Sequence, residues 1–171
     1  MQKEKEYLSK LAVVAGNSSD AERFDNEAKE LPVRIQKYFW SDEKHFYFDY
    51  NFENKKLIEV FGPEAWTALW TKPASKEQAK SIVFIMMDST RFNTKVPLPT
   101  LDAANPNFNP LKGYWRGPVW LDQFYFGIKG LENYGYRKES NLLRNKLFQN
   151  GEGILTGSAI HENYHPKTGK N

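Results

Sequence analysis

The pentapeptide "HENYH" (residues 161–165) has the H-E-x-x-H spacing of a zinc signature. That signature requires a helix, because only there do histidines four residues apart share one face and reach the same metal. Gly157 precedes the pentapeptide and Pro166 follows it, and a residue before proline is pushed away from helical geometry. The chain also has no cysteine and only three histidines, so a third ligand is missing. The sequence therefore predicts no metal site here and leaves Glu162 as a carboxylate on a loop.

A second group of residues that could do chemistry lies in "YWRGPVWLD" (114–122). Aromatic faces can stack on pyranose rings, arginine donates paired hydrogen bonds, and carboxylates move protons at an anomeric carbon. The residues that could supply these functions are Tyr114, Trp115, Arg116, Trp120 and Asp122, with Tyr164 beside Glu162. The two segments together predict a site that holds a polyhydroxylated ring.

Structural roles compete with the functional ones at each of these positions. Arg116 stacked on Trp115 and paired to a carboxylate is a common arrangement in protein cores. Asp122 falls in the first turn of a predicted helix, where a carboxylate stabilises the helix dipole as readily as it accepts a sugar hydroxyl. A solvated loop glutamate is the structural alternative for Glu162.

Hydrophobic periodicity predicts a chain of helices joined by long loops, with no alternation of strands and helices. The first predicted helix covers 2–15, and the second begins at a Ser19–Glu22 capping box, is interrupted at Pro32 and extends to Phe39. Two shorter helices are predicted at 64–71 and at 75–87, the latter with a Ser75–Gln78 capping box. The last two extend from Gly117-Pro118 to Gly135 and over 137–149. Residues 39–56 are predicted to form a structured loop or short hairpin, and the proline-rich stretch 88–117 a long irregular connection. This pattern indicates an all-α protein whose long loops gather at one end of a helical array.

Composition excludes several classes of protein. The net charge of +3 with interspersed signs argues against a nucleic-acid surface, and no apolar run is long enough for a membrane span. The absence of cysteine excludes disulfides and thiol catalysis and fits cytosol and periplasm equally. "DYNFEN" (49–54) has spaced oxygen donors but lacks the remaining ligands of a calcium loop. We therefore expect no cofactor, with a structural calcium ion as the minor alternative.

Four separated segments resemble the C-terminal part of a glycoside hydrolase family 63 catalytic domain. They are "FWSDEKHFYFDY" (39–50), "VPLPTLDAANPNF" (96–108), "YWRGPVWLDQFYFGIKGLENYGY" (114–136) and "ENYHPKTG" (162–169). The resemblance is nearest to YgjK-like bacterial α-glucosidases, which are related to mannosyl-oligosaccharide glucosidase I. It implies an (α/α)6 barrel and an inverting mechanism in which Glu162 is the general base. It also implies that Tyr114, Trp115, Arg116, Trp120, Asp122 and Tyr164 help to bind an oligosaccharide.

The same resemblance implies that residues 1–171 are only part of the catalytic domain. The family's general acid is an aspartate from an earlier inner-barrel segment, and no stretch of this chain resembles that segment. We expect the parent protein to be an exo-acting α-glucosidase that releases glucose from non-reducing ends, with this chain inactive alone and lacking a final C-terminal segment. A trehalase-like hydrolase and a non-catalytic carbohydrate-binding module are the alternatives. The start "MQKEKEYLSK" is not a signal peptide, and the resemblance implies a bacterial periplasmic or secreted parent.

Overall fold

The computed structural model describes residues 1–171, which form six α-helices and six very short β-strands. The helices are α1 (Gln2–Val14), α2 (Ser18–Phe39), α3 (Glu64–Thr71), α4 (Lys76–Met86), α5 (Leu121–Asn133) and α6 (Arg137–Asn150). The strands are β1 (Trp40–Ser41), β2 (Phe46–Tyr47), β3 (Asp49–Asn51), β4 (Lys56–Ile58), β5 (Val119–Trp120) and β6 (Asn163–Tyr164). The predicted all-α class is confirmed, with the strands confined to three antiparallel pairs.

The first two helices form an antiparallel hairpin, and the capping box predicted at Ser19 is wrong. Helix α2 begins earlier, because the side chain of Asn17 accepts a hydrogen bond from the Asp20 backbone N–H at 3.0 Å. An asparagine in that position satisfies one of the free N–H groups at the helix start, which draws Ser18 and Ser19 into the helix. The restart expected at Pro32 is also absent, since α2 runs without interruption to Phe39.

Two small hairpins occupy the segment predicted as a loop or short hairpin. Strand β1 pairs with β2, and β3 pairs with β4. The turn of the second hairpin is closed by Asn51, whose side-chain oxygen accepts from the N–H groups of Glu53 and Asn54 at 2.9 and 3.2 Å. Asn51, one of the oxygen donors of "DYNFEN", therefore stabilises a hairpin turn in this structure.

Helices α3, α4, α5 and α6 surround the main core, and the boundaries of α3 agree with the prediction. Trp66, Leu69 and Leu131 are fully buried at the centre of that core. Gly130 allows α5 to approach α3 closely, because a Cβ atom there would lie 2.8 Å from the Cβ of Leu69. The predicted Ser75–Gln78 capping box is present at the start of α4.

The long connection between α4 and α5 is irregular, as predicted, but it is well packed. Phe92, Val96 and Leu98 of this connection are fully buried in the core. Asp102 is buried, accepts a hydrogen bond from Nε of Arg91 at 2.7 Å and forms an ion pair with Nη2 of the same guanidinium at 2.5 Å. This connection therefore forms a fixed wall against which a site can be built.

None of the six helices is both long enough and apolar enough to cross a bilayer.

Candidate functional site

Pairing of β5 with β6 brings together the two segments in which the sequence places the site. Val119 pairs with Tyr164 and Trp120 with Asn163. The backbone N–H of Leu121 donates to the carbonyl of Glu162 at 3.2 Å. The helix predicted to begin at Pro118 therefore begins at Leu121, because residues 119 and 120 are extended to make this contact. The loop of Glu162 is attached to the start of α5.

Three aromatic rings cluster beside this strand pair. The rings of Trp115 and Trp120 stack with centroids 4.5 Å apart at 16°, and Tyr114 meets Trp120 edge-on at 5.0 Å. Trp120 is 5 % exposed, whereas Trp115 is 47 % exposed. The Trp120 indole N–H donates to the Tyr114 carbonyl at 3.1 Å. Trp120 thus forms the buried support of the stack, and Trp115 presents the open aromatic face.

The loop that carries Trp115 and Arg116 is fixed by backbone contacts. The hydroxyl of Thr100 contacts the carbonyl oxygens of Trp115 and Pro118 at 3.0 and 2.9 Å. The Arg116 carbonyl accepts from the N–H of Asn109 at 2.7 Å. Tyr114 adopts a φ of 53°, in the left-handed region that non-glycine residues seldom occupy. These contacts hold the aromatic face in one orientation.

Glu162 and Tyr164 differ sharply in their environments. Glu162 is exposed, and its carboxylate makes no hydrogen bond or ion pair within the chain. Tyr164 is fully buried, and its hydroxyl accepts a hydrogen bond from the backbone N–H of His161 at 3.1 Å. Tyr164 therefore fixes the loop on one side of Glu162, and its burial leaves no surface for direct contact with a sugar in this structure.

The structure distinguishes between the structural and substrate-binding roles considered for Arg116 and Asp122. The guanidinium of Arg116 is exposed and forms no ion pair or hydrogen bond, so the buried ion-paired role is absent. Asp122 is exposed in the first turn of α5, where it accepts from the backbone N–H of Gln123 at 2.7 Å and from its side-chain amide at 3.1 Å. Those contacts match the helix-end role, and the carboxylate oxygens can accept further hydrogen bonds.

A groove with a volume of about 910 Å³ runs alongside this cluster. Its lining comprises Asp49, Val60, Pro63, Glu64, Thr67, Thr100, Leu101, Asn105, Asn107, Trp115, Arg116 and Gln123. Two of the predicted site residues, Trp115 and Arg116, are among them. Tyr114, Trp120, Asp122, Glu162 and Tyr164 lie outside the groove lining, although the stack and strand pair connect them to it.

Sequence reasoning missed Glu64, the most perturbed carboxyl of the groove. Burial raises its pKa to about 7, the nearby charge of Asp49 adds to the increase, and its own backbone N–H opposes it. Its Oε2 atom is buried without a hydrogen-bond partner. A glutamate in the first turn of a helix is ordinary for the helix dipole, so the sequence carries no signal of this burial.

The pentapeptide "HENYH" is not helical, since Asn163 and Tyr164 form β6. The Nδ1 atom of His165 accepts from the N–H groups of Lys167 and Thr168 at 3.1 and 3.3 Å, which closes the following turn. Burial lowers the pKa of His165, which favours the neutral acceptor form. No three His, Asp or Glu side chains converge in a way that could hold a metal ion.

Relatives of this chain are glycoside hydrolases. The sequence matches the family described as the mannosylglycerate hydrolase MGH1-like glycoside hydrolase domain over residues 1–171. It is 26 % identical over 166 residues to a mannosylglycerate hydrolase of Rubrobacter radiotolerans, covering 95 % of this chain and 36 % of that protein. It is 38 % identical over 147 residues to the cytosolic neutral trehalase of Kluyveromyces lactis, covering 81 % of this chain and 19 % of that enzyme.

The fold agrees with these relationships. The glycoside hydrolase family 63 mannosylglycerate hydrolase of Thermus thermophilus, solved in complex with glucose, superposes with a TM-score of 0.82 at 23 % identity. That alignment covers 99 % of this chain and 41 % of the enzyme. The same enzyme has also been solved with Tris and D-glycerate. The predicted (α/α)6 fold type is thereby confirmed, whereas the proximity to YgjK-like α-glucosidases stays a prediction.

The chain spans about a third of the length of the Rubrobacter radiotolerans relative. The match to the family covers every residue from 1 to 171, including the aromatic cluster, the groove and the loop of Glu162. The chain therefore belongs to the mannosylglycerate hydrolase MGH1-like glycoside hydrolase domain family.

Proposed function

We propose that the full-length protein is an inverting glycoside hydrolase in which Glu162 is the general base. The observation that carries this proposal is the β5–β6 pairing, which sets the loop of Glu162 against the Trp115–Trp120 stack. A base must reach a water molecule on one face of a sugar ring while the ring is held in place. The exposed carboxylate of Glu162 lies on a loop paired to the strand of Trp120, and Trp120 supports the open face of Trp115.

The proposed roles of the other residues follow from their exposure. Trp115 stacks on the pyranose ring, and Trp120 and Tyr114 support it from behind and from the side. Both side chains face solvent, so Arg116 can donate to hydroxyl or carboxylate oxygens of the substrate, and Asp122 can accept hydrogen bonds from its hydroxyl groups. Tyr164 is assigned an indirect role, holding the loop of Glu162 through the N–H of His161.

The general acid of an inverting enzyme lies about 6.5–9.5 Å from the base, across the glycosidic bond. We assign that acid to a residue outside this chain, in agreement with the family pattern. This assignment predicts that the 171-residue chain alone has no measurable hydrolase activity.

For the substrate we propose α-linked gluco-oligosaccharides, from which the enzyme releases glucose at the non-reducing end. Water is the nucleophile, and no cofactor is required for this reaction. The full-length enzyme should release β-glucose first from an α-glucoside such as nigerose. Proton NMR of the anomeric signals during the first minutes checks the expected inversion. Early accumulation of α-glucose would contradict it.

Glu162→Gln in the full-length protein should lower turnover by at least about 10²-fold, because the neutral amide cannot accept the proton of water. The melting temperature should stay within about one degree, because the carboxylate is exposed and makes no contacts that stabilise the fold. Glu152→Gln, at another exposed position before the loop, is the matched control and should keep wild-type turnover. Near-wild-type hydrolysis by the Glu162→Gln variant would show that Glu162 is not the general base.

A glycoside with an acidic aglycone is a second candidate substrate. Two observations favour it: the unpaired guanidinium of Arg116 at the groove, and the mannosylglycerate hydrolases among the relatives. A guanidinium binds a carboxylate through two parallel hydrogen bonds. Arg116→Gln should then raise KM for mannosylglycerate by about tenfold or more while leaving KM for nigerose nearly unchanged. Equal effects on both substrates would assign Arg116 to the neutral sugar ring.

Trehalase-like hydrolysis is a third specificity within the same chemistry, and trehalases also occur among the relatives. Initial rates on trehalose, nigerose and mannosylglycerate at one enzyme concentration would rank the three substrates directly. Binding of all three without hydrolysis by the full-length protein would instead favour a carbohydrate-binding module.

A further inference from the structure

The Glu64 carboxyl lines the groove with one oxygen enclosed and the other not. The enclosed oxygen, Oε2, has no hydrogen-bond partner and no surface that a ligand could contact. Oε2 lies close to the backbone of Gly62, where a Cβ atom would be 2.7 Å from Oε2 and 3.2 Å from the carbonyl oxygen of Thr100. Thr100 in turn contacts the carbonyl of Trp115. The unsatisfied oxygen is therefore contiguous with the segment that presents the aromatic face.

The walls around this carboxyl are polar and mostly uncharged. Hydroxyl and amide side chains line the groove together with the indole of Trp115, and they are Thr67, Thr100, Asn105, Asn107 and Gln123. Such a combination of neutral hydrogen-bonding groups and one aromatic face is suited to a polyol, whose hydroxyl groups both donate and accept while its C–H faces stack.

Few charged groups face Glu64 from the elements around it. Asp49 of β3 and Arg116 of the long connection line the same groove. On the opposite side, Glu64 and Thr67 also line an apolar groove of about 420 Å³, where α2 contributes Arg34 and Tyr38 and β2 contributes Tyr47. Glu64 forms no ion pair with either arginine. A bound ligand is thus the available source of hydrogen-bond donors for Oε1, the carboxyl oxygen that is not enclosed.

We propose that the 910 Å³ groove binds a sugar unit of the substrate and that Oε1 of the Glu64 carboxylate accepts hydrogen bonds from two adjacent hydroxyl groups of that sugar. Glu64 is then a specificity-determining residue, distinct in role from Glu162. This inference rests on the proposed function for the identity of the ligand. It assigns a second carboxyl, carried by α3, to the recognition of the ring.

A consequence of this arrangement is that sugar binding releases a proton. The pKa of Glu64 is raised to about 7 by burial in the free protein, so a substantial fraction of the carboxyl is protonated near neutral pH. Hydroxyl donors stabilise the ionised form and lower its pKa. In the free state Glu64 is protonated and the sugar diol is in solution. In the bound state the Glu64 carboxylate accepts hydrogen bonds from the diol, and the released proton is in solution.

Titration calorimetry of the full-length protein with nigerose tests this proposal. The Glu162→Gln background prevents turnover during the titration. Measurements in phosphate and in HEPES, which have different ionisation enthalpies, give the number of protons released. We expect Kd to rise by about tenfold for each pH unit below about pH 7 and to level off at higher pH. We expect Kd to be independent of pH when Glu64→Gln is added, with affinity at pH 8 at least about tenfold weaker.

Asp49→Asn provides a matched control, since it removes the other groove carboxylate. The Kd of the Asp49→Asn variant should still depend on pH, with the midpoint moved to lower pH, because the negative charge of Asp49 helps to raise the pKa of Glu64. Loss of the pH dependence in Asp49→Asn together with its persistence in Glu64→Gln would overturn the assignment to Glu64.

The outcomes separate this proposal from the proposed function. Binding of nigerose without proton release and with a Kd that does not change with pH overturns the role of Glu64. In that case, loss of hydrolysis in the Glu162→Gln variant would still support Glu162 as the general base of the enzyme. Proton release that depends on Glu64 supports the groove proposal even if Glu162→Gln retains activity, a result that would overturn the base assignment. The absence of any binding heat from pH 6 to pH 8 overturns the groove proposal.

Discussion

Glu162 and Glu64 are chemically identical side chains in different environments, and the environment determines which role each can perform. Glu162 lies exposed on a loop attached to β6, and Glu64 lies partly buried at the start of α3 with one oxygen unsatisfied. A carboxylate that is open to solvent can accept a proton from a water molecule, as a general base must. A buried carboxyl near its pKa responds to whatever hydrogen bonds a ligand offers.

The raised pKa of Glu64 also predicts a pH dependence of stability. Its folded-state pKa of about 7 exceeds the ordinary value of 4.5, so the folded state binds the proton more tightly than the unfolded chain. The free energy of unfolding should therefore fall as pH rises from about 5 to about 7, by at most about 3 kcal/mol. Urea unfolding of the wild type at a series of pH values measures this decrease.

Glu64→Gln should remove that decrease, because the amide does not titrate. Glu53→Gln, an exposed change in the hairpin turn, should retain the wild-type profile. A wild-type stability that stays constant across this interval would contradict the burial of the Glu64 carboxyl.

The buried hydroxyl of Tyr164 offers a test of how the loop of Glu162 is held. Tyr164→Phe removes the acceptor of the His161 N–H and should cost about 1 kcal/mol in the free energy of unfolding. In the full-length protein it should also lower kcat more than it changes KM, since the loop of the proposed base loses its restraint. Tyr125→Phe, at a tyrosine that is 53 % exposed and forms no hydrogen bond, should change neither quantity.

At the scale of elements, helix α4 has the best-defined start in the chain. The Ser75 hydroxyl accepts from the N–H of Gln78 at 3.1 Å, and the Gln78 side chain accepts from the Ser75 N–H at 2.8 Å. Ser75→Ala should therefore lower the free energy of unfolding by about 1 kcal/mol. Ser81→Ala, within the same helix, should be neutral or slightly stabilising, because alanine has the higher helix propensity. Thermal unfolding of both variants measures the difference, and equal melting temperatures would contradict a contribution from the capping box.

Elements whose signals are local can be predicted from the sequence. Helix α3 and the capping box of α4 depend on residues within one or two turns, and the predicted bounds of both are nearly correct. The predicted start of α5 is three residues early, because Gly117-Pro118 is a good local start signal and the competing signal lies about 45 residues further on, in β6. Val119 and Trp120 become extended only through that distant pairing.

The candidate site shows the same division between local and distant information. The residue types of Trp115 and Arg116 indicate a sugar site, and both line the groove. Tyr164 has the same chemical capacity but is fully buried, which depends on how the loop folds onto α5. Glu64 cannot be found from the sequence, because its burial is produced by a connection that follows it by some 40 residues.

At the scale of the whole molecule, the α1–α2 hairpin is less firmly attached than the other helices. Every fully buried residue of the main core lies in the range 46–164, and Ile35 and Phe39 of α2 only pack against it in partly buried positions. On α1, Leu11 and Val13 are 63 % and 66 % exposed. Few buried apolar contacts imply a low free energy of local opening.

Amide hydrogen exchange on the 171-residue chain should therefore be faster in α1 than in α3 and α5. The expected difference is at least about tenfold, since one hydrogen-bonded segment opens locally and the others only with the core. Mass spectrometry of peptic fragments resolves these segments. Equal protection of α1 and α5 would place the hairpin within the same cooperative unit as the core.

The stacked indoles of Trp115 and Trp120 provide a fluorescent reporter beside the groove, in addition to the three other tryptophans of the chain. Their planes are nearly parallel at a centroid distance of 4.5 Å, so light absorbed by one ring is shared with the other. Because one ring is open and the other enclosed, any molecule that settles on Trp115 changes the emission of the pair without a label. Ligand screening could then begin with a fluorimeter, before the natural substrate has been identified.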